Sequence, residues 1–127
     1  HRVDPSPATF SRFWLQEVLR RRFAFQGVIF SDDLHMGGAA GIGDMVARGR
    51  AALEAGCDML LVCQGAEPVA QLVEALAQWN NPVSQLRLVR MHGRGGIGYE
   101  ELRRSAQWRD AVRLVESYDE PHTLDLM

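Results

Sequence analysis

Two short, unbroken apolar runs constrain this chain more than any other feature: Val28-Ile29-Phe30 and Met59-Leu60-Leu61-Val62. Runs of this length suit strands covered on both faces, as in the parallel sheets of α/β proteins. Between them an amphipathic pattern predicts a helix from about Met45 to Ala55, with Gly56 placed as a C′ glycine. A second helix is expected from about Pro68 to Trp79. Pro68 would take its first position, with Val69, Leu72, Val73 and Leu76 inward. Strand, helix, strand, helix in that order predicts two adjacent parallel strands, 28–31 and 59–62, joined by a right-handed crossover.

The flanks read as helical. From Ser11 to Arg22, Ser11 is a candidate N-cap, and Trp14, Leu15, Val18 and Leu19 form an apolar stripe. Arg20 to Arg22 suit a solvated C-terminal end of the helix dipole. From Asn80 onward only helices are expected. One runs from Pro82 to about Met91, bearing Val83, Leu86 and Val89. A break at Gly93–Gly98 precedes a longer helix from Tyr99 to about Ser117, bearing Leu102, Trp108, Val112 and Val115. The end, YDEPHTLDLM, lacks periodicity and reads as frayed. Residues 1–79 are thus read as the α/β part, and 80–127 as a helical segment packed on it.

Composition narrows the function. Hydrophobic content of 46% and charged content of 24% are those of a globular chain, and a net charge of −2 creates no field for nucleic acid or anionic membrane. All 14 basic residues are Arg, which removes Schiff-base chemistry and a lysine-assisted phosphate loop. No apolar run approaches the roughly 20 residues that span a bilayer. Cys57 and Cys63 flank the second apolar run and are expected as buried free thiols. A metal site built on them would need two more ligands, with His35 the sole local candidate. No metal or organic cofactor is expected.

Chemistry is expected where the first run ends, at Ser31-Asp32-Asp33, because a buried strand that hands carboxylates to a loop is how α/β enzymes present reactive groups. Adjacent aspartates there can bind a cation, accept a phosphoryl group or attack a carbon centre. A hard cation needs further oxygen ligands, and only Asp44 and Asp58 are near in sequence. A carboxylate in this position can also simply cap a loop. The loop GGAAGIG invites a phosphate-cradle reading, but it lacks the required glycine spacing and stands behind two acids. Its glycines fit a tight turn better. His92 and His122 have no partner in a recognisable pattern, and His1 sits at the chain start.

The stretch GVIFSDDLHMGGAA, from Gly27 through Met36 into Gly38-Ala39, closely resembles the nucleophile segment of glycoside hydrolase family 3. The branch it resembles is that of bacterial cytosolic β-N-acetylglucosaminidases. DPSPATFSRFWLQEVLR looks like the helix before that segment, and GRAALEAGCDMLLVC like the family's last barrel helix and strand. The tail resembles its terminal helices. The resemblance implies the C-terminal part of a (β/α)8 TIM barrel, about two parallel strands with helices, plus C-terminal helices. A whole barrel needs about 250 residues. The chain, which starts at His1 on HRVDPSP, is therefore expected to be the last part of a longer protein.

By the same resemblance Asp32 is the nucleophile, Asp33 a supporting residue that holds the loop, and Met36 lines the sugar pocket. The implied reaction is retaining exo-cleavage of terminal β-linked N-acetylglucosamine from peptidoglycan-derived fragments in the cytoplasm. The acid/base, a His paired with an Asp, would lie upstream, so these residues alone should be inactive. His35 stands where the family often has a small polar residue, and rim contact is its default role. The partner implied is a small carbohydrate, with neither nucleic acid nor membrane. A family-3 hydrolase of another sugar, such as a β-glucosidase, and a catalytically silent binding module are the alternatives.

Overall fold

A computed structural model of the chain describes residues 3–119, so His1 and 120–127 of the expected frayed end, with His122, lie outside the described residues, while Tyr118 and Asp119, also expected to be frayed, are helical. Two compact units divide at His92/Gly93.

The first unit holds the sheet. A 3-10 turn, Ala8–Phe10, leads into a π-helix, Phe13–Arg22. Ser11 caps its first turn: the Oγ accepts the Trp14 N–H at 3.1 Å and donates to Asp4 Oδ2 at 2.5 Å. The expected helix is thus present, but its bonding is wider than α, as in the 3.0 Å bond from the Phe23 N–H to the Val18 carbonyl. Strand β1 spans Phe30–Asp33, α1 Met45–Ala55, β2 Met59–Leu61 and α2 Ala66–Ala75. Helix α3 covers Pro82–Val89, with the Asn81 side chain accepting from the N–H groups of Val83 and Ser84.

β1 and β2 pair in parallel and α1 connects them, as the alternation predicts. The first strand begins two residues later than expected, so Asp32 and Asp33 are part of it. Phe30 aligns with Met59 but Asp33 with Leu61, so β1 carries one extra residue. Ser31 compensates: its buried Oγ accepts the Leu61 N–H at 2.8 Å, replacing the displaced carbonyl. Asp44 caps α1 by accepting the Ala47 N–H at 2.8 Å, and Gly56 closes the helix at φ +125°.

The core joins Leu15, Ile29, Leu34, Ala52, Ala55, Cys57 and Leu72. Only Leu72 of the four inward residues expected on α2 is buried, and Val73 is 68% exposed. Pro68 sits third in α2 rather than first, within the turn whose N–H groups have no intrahelical partner. On α3 the apolar residues Val83, Leu86 and Val89 face outward, and the inward side is polar. Ser84 donates to Asp58 Oδ1 at 2.5 Å and Arg87 to the same atom at 2.9 Å. The opposite carboxylate oxygen takes Arg20 at 2.6 Å and the Ile29 N–H at 2.9 Å. Arg20 is therefore not part of a solvated helix end, as the run of arginines suggests; its side chain is 8% exposed and that of Asp58 0%. Arg21 and Arg22 are exposed as expected.

The second unit, Gly93–Met127, contains α4, Tyr99–Arg104, and α5, Ala106–Asp119. The single helix expected there is broken at Ser105, whose ψ of 156° is extended. Ser105 Oγ accepts the Trp108 N–H at 3.1 Å and donates to the Leu102 carbonyl at 2.6 Å, so it caps both helices. Among the described residues no helix is long and apolar enough to cross a membrane.

Candidate active site

The twin carboxylates stand at the C-terminal end of β1, beside the end of β2. Asp32 is exposed, and its Oδ1 accepts the Asp33 N–H at 2.8 Å. Its own N–H is donated to Thr9 Oγ1 at 3.1 Å. Asp33 is held by different partners. Its Oδ1 accepts the N–H of His35 at 3.1 Å and that of Cys63 at 3.1 Å, which ties the loop after β1 to the end of β2. These two donors, His35 first, hold the Asp33 carboxyl below the usual carboxylate range.

Asp32, Asp33 and Met36 share a small concavity of about 150 Å³ with Thr9, Phe10 and Ala39. His35 is exposed and does not line it. His92 is also exposed. The glycine-rich stretch after Met36 is a 3-10 run, Gly37–Ile42, rather than an irregular loop, and it buries Ala39. Arg48 on α1 fastens that run from both ends, donating to the carbonyls of Leu34 at 2.8 Å and Gly43 at 2.8 Å. Thr9 and Arg48 carried no signal in the sequence, because each acts through a partner at least five residues away. A larger open groove, about 480 Å³ between β2 and α2, presents only aliphatic side chains such as Leu60, Leu72 and Val73. It offers no group that could act on a bond.

The two thiols diverge. Cys57 is buried as expected, and burial with the nearby Asp58 charge pushes it up to about 11. Cys63 is exposed, contrary to expectation, because β2 ends at Leu61 and leaves it on the rim. Desolvation and the carboxylates of Asp33 and Asp32 push its pKa up, which disfavours the nucleophilic thiolate. Among the described residues no group of three or more His, Cys, Asp or Glu could hold a metal ion.

Residues 1–90 match the model of the glycosyl hydrolase family 3 N-terminal domain. The chain belongs to that family.

As a family 3 chain it has close curated relatives. It is 49% identical over 125 residues to a β-hexosaminidase of Thioalkalivibrio sulfidiphilus, covering 98% of this chain and 36% of that protein. It is 50% identical over 120 residues to a β-hexosaminidase of Methylococcus capsulatus, covering 94% and 36%. Among solved structures it superimposes on NagZ from Neisseria gonorrhoeae in complex with N-trifluoroacetyl-D-glucosamine. The TM-score is 0.76 at 36% identity, covering 94% of this chain and 35% of that one. The chain thus spans about a third of the length of these relatives. Its α/β fold, two parallel strands with helices, corresponds to part of the family's (β/α)8 barrel.

Proposed function

We propose that this chain supplies the nucleophile and its supporting loop to a retaining exo-β-N-acetylglucosaminidase. The observation that carries the reading is the position of Asp32. An exposed carboxylate lines a concavity at the C-terminal end of a parallel strand, beside a second carboxylate immobilised by two backbone N–H groups. Active sites of (β/α)8 enzymes gather at that end of the strands.

In the proposed reaction the Asp32 carboxylate attacks the anomeric carbon as a second group protonates the departing glycosidic oxygen. That group then deprotonates a water, which releases the sugar from Asp32 with net retention. Asp32 attacks as the carboxylate, and the Asp33 N–H on its Oδ1 restrains the side chain. Asp33 stays a positioning residue, since both donors on its Oδ1 are backbone groups. Met36, 43% exposed, offers a soft apolar wall to one face of the sugar. The acid/base belongs to the part of the enzyme outside these 127 residues. The relatives' name and the N-acyl glucosamine bound to NagZ support a terminal N-acetylglucosamine substrate. We assign it to peptidoglycan-derived fragments, hydrolysed in the cytoplasm.

The test uses the full-length polypeptide carrying residues 1–127. Asp32→Asn keeps the shape and removes the attacking charge, so kcat should fall by about three or more orders of magnitude with little change in KM. Asp33→Asn should cost less, and residues 1–127 alone should release no chromophore from an aryl β-N-acetylglucosaminide. A slow fluorinated sugar should label the peptide Gly27–Met36 at Asp32. Labelling at Asp33 would reverse the assignment, and inversion at the anomeric carbon would end it. Faster turnover of a β-glucoside would favour the other sugar class.

A further inference from the structure

We infer that Thr9 is a positioning residue for the nucleophile, aiming Asp32 through its main chain. This rests on the reading of Asp32 as the attacking group.

Asp32 Oδ1 is already engaged by the Asp33 N–H, a bond that restrains the side chain from its C-terminal side. The main chain is tied as well, by the Asp32 N–H to Thr9 Oγ1 at 3.1 Å, across 23 positions of sequence. Thr9 also lines the same concavity as Asp32.

A single hydroxyl can aim a strand only if it is itself held, and Thr9 is. It is the middle residue of the 3-10 turn Ala8–Phe10, closed by the Phe10 N–H on the Pro7 carbonyl at 2.9 Å and the Ser11 N–H on the Ala8 carbonyl at 3.1 Å. The Thr9 carbonyl accepts the Cys57 thiol at 3.7 Å, joining the turn to the chain just before β2. Asp4 braces the entry to the turn, accepting the Ser6 N–H at 2.7 Å and the Ser11 hydroxyl at 2.5 Å. The turn is therefore a fixed post, and β1 leans on it at the residue that attacks. A reacting carboxylate displaced by about 1 Å can lose about 100-fold in rate. Loss of this bond should act on the chemical step rather than on sugar binding.

The experiment compares Thr9→Val, Thr9→Ser and Asp32→Asn in the full-length polypeptide, with an aryl β-N-acetylglucosaminide as substrate. Thr9→Val keeps the branched shape and deletes the acceptor. It should lower kcat by about tenfold to a hundredfold with KM within about twofold. It should also slow labelling of Asp32 by a fluorinated sugar in the same proportion. Thr9→Ser restores the acceptor and should recover most of the loss, while the melting temperatures of all three variants stay close to the parent. If Asp32→Asn is inactive and Thr9→Val is as fast as the parent, the role of Thr9 falls and that of Asp32 stands. If Thr9→Ser fails to recover the rate, or the loss tracks a drop in melting temperature, Thr9 is merely structural and the inference is overturned. If Asp32→Asn retains activity, both readings fall together.

Discussion

At Gly56 a hydrogen atom stands where any other residue would place a carbon 1.8 Å from Gln16 Nε2. The backbone there adopts φ +125°, which residues with a Cβ rarely reach. Gly56→Ala would push the movable end of Gln16 aside and strain the backbone, and should cost about 1–3 kcal/mol of stability. Gly41→Ala is the matched control, since nothing lies within 4 Å of its added Cβ. It should change stability by less than about 0.5 kcal/mol. Urea midpoints of the two variants check both values. Single residues also mark where local reading stops. Gly56 and Ser11 act on their nearest turns and were legible as a cap and an N-cap. Arg20 was not, because its partner Asp58 lies 38 positions away.

Strand β1 shows how one element can be recognised and still be misplaced. Its apolar run announces a strand, but its paired span lies two residues further on, where Ser31 accepts the Leu61 N–H across the bulge. Ser31→Ala deletes that acceptor in a buried place and leaves the Leu61 N–H unsatisfied. The expected cost is about 1–3 kcal/mol. Hydrogen exchange should show the Leu61 amide losing protection while the amides of α1 keep theirs. Full retention of Leu61 protection would mean that the bulge has another acceptor. Helices repeat the pattern. α1 matches the expected bounds because an Asp44 cap and a C-terminal glycine both lie within its own sequence. The break between α4 and α5 at Ser105 carries no Gly or Pro, the usual sequence marks of a helix end.

Across the first unit, one carboxylate ties distant parts together. Asp58 meets the π-helix through Arg20, the entry to β1 through the Ile29 N–H, and α3 through Ser84 and Arg87. Burial pushes its carboxyl up, but the Ser84, Ile29 and Arg87 bonds, with the Arg87 charge, outweigh this and hold it below the usual range. The Arg20 pKa is lowered, mainly by burial and then by the Arg87 charge, while Asp58 opposes the shift. A depressed carboxyl pKa stabilises the fold above the unfolded value of about 3.9, and this contribution is lost as pH falls through the folded pKa. Asp58→Asn leaves two guanidinium groups without their counter-charge, one of them buried, and should cost about 3–5 kcal/mol near neutral pH. The gap to the parent should begin to narrow below about pH 4, where the unfolded chain takes up the proton, and should close as pH falls through the lowered folded value. Urea unfolding at pH 7 and pH 3 measures it, and a gap that does not change with pH would show that Asp58 acts as a neutral group.

Sequence alone determined the parallel strand pair and the helix that joins it. Both rest on neighbours within about one turn or one strand, where periodicity and capping act, whereas Asp32, Asp33 and Met36 were marked by the resemblance to family 3. Tertiary structure decided the rest. It set the bulge filled by Ser31, the polar inner face of α3, the exposure of Cys63 and the bond from Thr9 to Asp32. The bulge, the inner face of α3 and the Thr9 bond join residues 23 to 30 positions apart, and polar groups take whichever partner the packed chain brings within reach.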